Sequence, residues 1–99
     1  MSLESTLEAA VPEYMQWLRE NDDGRDPFTL LEHLRLWLFE AADADGRRRA
    51  WDAVETLFPT DDELLLNALA VGLLEGYWPR KDRKLMGPHT RALWEQEPA

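Results

Sequence analysis

The stretch from Leu64 to Trp78, "LLLNALAVGLLEGYW", constrains the fold more than any other, because only Asn67 and Glu75 within it are strongly polar. A helix that is apolar nearly all round has to be enclosed by other elements, so this segment is expected to be the central helix, running over about 61–77. The acids of "TDDE" stand at its N-terminal end, where Thr60 or Asp61 can cap it and the helix dipole favours negative charge. Ala68, Gly72 and Gly76 recur every four residues, a spacing of small side chains that lets a neighbouring helix come close.

The rest of the chain reads as helices cut by proline and turn residues. Leu3, Leu7, Ala10 and Val11 share a face over 3–11, with Ser2 or Ser5 as cap. Pro12 cannot continue that helix, so a kink or restart is expected, with Tyr14, Met15 and Leu18 carrying a second helix over 12–20. "NDDGRDP" is a turn in which Asp26 caps and Pro27 opens a third helix, 27–44. There Leu30, Leu34, Trp37, Leu38 and Ala41 line one side, while Leu36 and Phe39 lie off it, so this helix is either buried on two sides or offers apolar surface to a partner. "DADG" ends it. A fourth helix over 47–58 presents Ala50, Trp51, Val54, Leu57 and Phe58 and stops at Pro59; a last one runs from Pro88 to about 95. No heptad repeat and no sustained strand alternation occurs. The expectation is an all-α, single compact domain (1–99) of five or six helices, arranged as a helical-hairpin stack or an irregular bundle.

Composition narrows the chemistry. With 99 residues, 44% apolar, five tryptophans among them, the chain can fill one core and bury about two-thirds of the surface it exposes unfolded. No cysteine is present, which removes disulfides, thiolate metal sites and cysteine nucleophiles. The longest apolar run is too short to span a bilayer, and no basic, apolar leader opens the chain, so a soluble cytoplasmic protein is expected. The two acidic turns do not make calcium loops: with Gly46 at the sixth position the first falls on Ala41 and the twelfth on Asp52, and with Gly24 there the first is Arg19. His33 and His89 form no recognisable metal pair, and no phosphate loop, nucleophile elbow or ordered triad occurs. No enzyme, no cofactor and no metal is expected.

The net charge is −9, distributed as 17 acidic against 6 basic residues over 1–79 and 3 against 5 over 80–99. Such a body repels nucleic acid and anionic membranes and speeds encounter with a basic protein surface. "GRRRAW" puts three arginines beside Asp43, Asp45 and Asp52, which can neutralise them. "YWPRKDRKLMGPHTRALW" gathers Arg80, Lys81, Arg83, Lys84 and Arg91; the first four follow the central helix, whose C-terminal carbonyls attract cations, and Arg91 is placed to reach Glu75. Gly87-Pro88 would redirect the chain so that Trp94 closes the core.

Two segments, "LLLNALAVGLLEGYW" and "LMGPHTRALW", resemble the C-terminal half of a family of small, acidic, all-helical bacterial proteins catalogued mainly as a domain of unknown function. That likeness covers residues 61–96 and is carried by Asn67, Ala68, Leu69, Leu74, Glu75, Met86, Gly87, Pro88, Arg91 and Trp94, whereas residues 1–45 match only in helical character. The resemblance implies a binding protein, with some relatives looking like immunity proteins that neutralise bacterial toxins, and it transfers no catalytic site. The expected function is therefore a protein-binding module, an immunity protein that occludes a basic toxin domain; the alternative is a helical adaptor or homodimeric scaffold. Candidate partner contacts are the acidic turns, Asp22, Asp23, Asp26, Asp43, Asp45, Asp61, Asp62 and Glu63, with Trp17, Leu36 and Phe39 as apolar anchors.

Overall fold

In the computed structural model, residues 2–22 and 24–96 are described. Ser2 accepts from the Ser5 amide and starts α1, Leu3–Ala10. Pro12 at the first position of α2, Pro12–Asn21, makes the restart, and Val11 is the junction. The Asp26 carboxylate caps α3, Pro27–Glu40, by accepting from the Thr29 amide. Asp43 caps α4, Ala44–Glu55, by accepting from Gly46 N at 2.7 Å. "DADG" thus opens a helix instead of closing one, because the Asp43 cap and Asp45 in the first turn make a stronger start than the arginines that follow. After Pro59, Asp62 caps α5, Glu63–Asn67, which passes directly into a π-helical segment, Ala68–Leu74. Then come α6, Arg80–Arg83, and α7, Pro88–Gln96. Among the described residues there is no strand, so the chain is all-α, with seven α-helices where five or six were expected; the additional one is α6.

α3 and the α5–π segment lie side by side and run in the same direction. Phe28 adjoins Leu64 and Ala68, and a Cβ on Gly72 would sit 3.6 Å from the Phe28 carbonyl and the Glu32 amide. Arg35 reaches the Leu73 carbonyl at 2.8 Å, and Phe39 stacks on Trp78. Of the small-residue stripe, Gly72 makes the close approach, whereas Gly76 lies past the helix end with φ +88° and lets the chain leave. Gly76→Ala should cost about 1–2 kcal/mol in urea unfolding through that backbone angle alone, since its Cβ would meet nothing nearer than the Arg35 Nη2 at 3.6 Å.

The cation at the end of the π segment is Arg35, from α3, and the basic stretch after Pro79 does not serve there. Glu75 is exposed and needs no buried partner, and Arg91 donates to the Arg83 carbonyl at 2.6 Å. Tyr14, Leu30, Leu34, Trp51, Leu69, Leu73 and Trp78 form the centre of the core, with the Tyr14 hydroxyl donating to the Leu30 carbonyl.

Two charged groups cross this core. Arg47 is 8% exposed and Asp82 1%. The Arg47 Nη1 donates to Asp82 Oδ1 and to the Leu38 carbonyl, both at 2.9 Å, and Trp51 Nε1 donates to the same carboxylate oxygen at 3.0 Å. α6 is thereby fastened to α4 and to the end of α3. The other two arginines of "GRRRAW" behave as expected in part: Arg48 bridges Asp45 and Asp52 on the surface, while Arg49 pairs with Asp45 and also reaches Glu13 and the Ala10 carbonyl, tying α4 to the α1–α2 junction.

Gly87 is required for space. A Cβ there would fall 2.4 Å from the Glu55 side chain, whose carboxylate accepts from the amides of His89 and Thr90 and so caps α7 from another helix.

Candidate protein-binding surface

Most of the acidic candidates are engaged in local structure, yet their charge still faces solvent. Asp26, Asp43 and Asp62 are the helix caps already described. Hydrogen bonds from the Thr29 side chain and amide hold the Asp26 carboxyl below the usual range, and those from Arg49 and Arg48 do the same for Asp45. Asp22 accepts from the Gly24 amide at 2.7 Å and lies 3.5 Å from His33. Asp61 and Glu63 are exposed. Asp23 lies outside the described residues.

Parallel packing of α3 with α5 decides which of these meet. Asp26, Pro27 and Phe28 line a cleft together with Leu64, Asn67 and Ala68, so the turn before α3 and the acidic turn 61–63 share one end of the helix pair. Asp43 and Asp45 follow the opposite end of α3 and do not join that cluster.

The anchors divide in the same way. Trp17 is half-buried, packed on the core beside Tyr14 and His33. Leu36 and Phe39 are 42% and 47% exposed. They have company that the sequence reading did not supply: Leu64, Val71 and Tyr77 are 78%, 42% and 69% exposed, and with Leu36 and Phe39 they are the exposed large apolar residues of the described chain. All five belong to α3 or to the segment that packs against it. The expected central helix is enclosed over most of its π segment, where Ala68, Leu69, Ala70, Gly72, Leu73 and Leu74 are buried, and it is open at Val71 and towards its two ends, at Leu64 and Tyr77. The apolar excess of the sequence thus serves both the enclosed stretch and these open positions.

α3 carries Glu32 and Glu40, α5 carries Glu63, and the turns flanking α5 and the π segment carry Asp61, Asp62 and Glu75, all exposed and none in an ion pair among the described residues. On α3 the helical turn puts Glu32, Leu36, Phe39 and Glu40 on one arc, opposite the buried Leu30, Leu34 and Trp37. Phe39 is held flat by its stack on Trp78, ring centroids 4.7 Å apart, with the Arg35 guanidinium 5.3 Å from its centroid. Exposed apolar side chains interspersed with carboxylates that form no ion pair are the composition of a surface that receives apolar and cationic groups together.

Among the described residues no group of three or more His, Cys, Asp or Glu could hold a metal ion, and no helix is long and apolar enough to cross a membrane. No protein-family model, curated protein or solved structure matches the chain.

Proposed function

We propose that the protein is a protein-binding module that docks a basic partner on the outer side of the α3–α5 pair, and that its most specific form is an immunity protein that occludes a toxin domain. The observation that carries this reading is that the exposed large apolar residues of the described chain, Leu36, Phe39, Leu64, Val71 and Tyr77, and six carboxylates outside any ion pair among the described residues all lie on one helix pair or the turns that flank it. The apolar residues set the lifetime of the complex and the carboxylates its rate of formation.

Self-association is the competing use of such a face. A two-fold dimer would press one acid-edged face against an identical one, a like-charge juxtaposition that favours a cationic partner instead.

Sedimentation of the purified chain should return a monomer. Immobilised at low salt, it should retain a basic protein from an extract of the cells that make it, and Leu36→Asp with Tyr77→Asp should weaken that capture at least about tenfold. Co-expression of the captured protein should arrest growth unless the unaltered chain is present. Equal protection by the double variant would remove this face from the interface, and a salt-insensitive dimer broken by the same substitutions would replace docking by self-association.

A further inference from the structure

The eleven basic residues fall into two groups. Arg19, Arg25, Arg47, Arg48 and Arg49 each pair with a carboxylate, and Arg35 donates to the carbonyls of Leu73 and Tyr77. Arg80, Lys81, Arg83, Lys84 and Arg91 have no carboxylate within ion-pair distance among the described residues. Four of these five, Arg80, Arg83, Lys84 and Arg91, line a single cleft of about 610 Å³ with Trp94 and Glu95.

In a chain of net charge −9, four cations around one space with a single carboxylate among them repel one another unless something else holds them. The fold does so. Asp82, buried under Arg47 and Trp51, fixes α6 and with it Arg80, Arg83 and Lys84; Arg91 is tethered from α7 by its bond to the Arg83 carbonyl. Trp94 has its indole N–H committed to the Gly76 carbonyl at 3.0 Å, so what it offers a ligand is ring carbon.

We infer that this cleft binds a phosphorylated small molecule with a flat ring, of nucleotide size. Guanidinium forks match phosphate oxygens in bidentate geometry, and an indole ring takes a heterocyclic base by stacking. The volume lies within the range of about 300–1,000 Å³ common to small-molecule sites. A nucleic-acid strand fits less well: it would run out of the cleft over an acidic body whose field reaches about 8 Å at physiological salt, whereas a compact ligand stays inside. None of the cleft's residues belongs to the α3–α5 face, so the inference stands apart from the docking reading.

Calorimetric titration of the full chain at low salt tests it, with ADP, ribose 5-phosphate, inorganic phosphate, adenosine and a short single-stranded DNA as probes. ADP should bind, ribose 5-phosphate and phosphate more weakly, and adenosine not at all. Arg80→Ala with Lys84→Ala, both at exposed positions, should weaken ADP by about tenfold or more while circular dichroism stays unchanged. Glu95→Gln should tighten ADP, because it removes the one carboxylate of the lining. Absence of ADP binding at millimolar concentration, ADP binding indifferent to the double substitution, or DNA binding at least as tight as ADP would overturn the inference.

Discussion

Asp82→Ala is expected to lower the unfolding free energy by about 3–5 kcal/mol, a large share of the 5–15 kcal/mol typical of a natural domain. The loss comes from what the substitution leaves behind. Arg47, only 8% exposed, would keep its charge in the core with carbonyl partners alone, and Trp51 Nε1 would lose its acceptor. α6 would lose its tie to α4. Urea unfolding followed by tryptophan fluorescence gives the midpoint and slope. A loss below about 1 kcal/mol would mean that the pair is no better than a surface ion pair. The double replacement Arg47→Met with Asp82→Leu separates charge from packing: with neither ion to desolvate, most of the stability should return. Because α6 and its C-cap carry Arg80, Arg83 and Lys84, the same double variant should also loosen the cationic cleft, visible as weaker ADP binding in a chain that is still folded.

Trp78→Ala should be comparably damaging, at about 3–5 kcal/mol. Trp78 is fully buried, meets Trp51 edge-on at 5.0 Å and carries Phe39 on its face at 4.7 Å. Its indole N–H donates to the Leu73 carbonyl, which also accepts from Arg35, at the end of the π segment. Trp78→Phe keeps a ring in place but drops that hydrogen bond, and is expected to lose about 1–2 kcal/mol. The two variants also bear on the docking face, since Phe39 has no other aromatic support: Trp78→Ala should release it and weaken partner capture even at temperatures where the chain remains folded. Unchanged capture would show that Phe39 is not an anchor.

Much of the helical punctuation was legible because its causes are local. Pro12, the Asp26-Pro27 pair and Pro88 each act within one or two residues, through a fixed φ or a cap, and the observed helices begin beside them, whereas the helix expected to run on to Pro59 already ends at Glu55. Misreadings arose where two local rules competed. Asp43 was read as ending a helix and instead begins the next; the small residue at 76 was read as helix surface and instead ends it at φ +88°. Helix α6 is four residues long and rests on a contact 35 residues away in sequence, so no window of propensity or periodicity could reveal it.

The docking candidates divide along the same line. Sequence sufficed to mark Leu36 and Phe39, because they fall off the apolar stripe of their own helix. Leu64, Val71 and Tyr77 could not be sorted from Leu69, Leu73 and Trp78, since in a segment apolar on every side the exposed positions depend on where the neighbours stop.

By itself, then, the sequence determined an all-α chain, the proline and aspartate positions that divide it, and an acidic body with five of its eleven cations gathered after residue 79. Those are properties of single residues and their nearest neighbours along the chain. Only the tertiary structure decided that Arg47 and Asp82 neutralise each other in the core, that Arg35 serves the helix end at which Arg80, Lys81, Arg83 and Lys84 were expected, and that four of the later cations are left facing a cleft. Ion pairing depends on distances of a few ångströms between residues far apart in sequence, and charge counts contain no such distances.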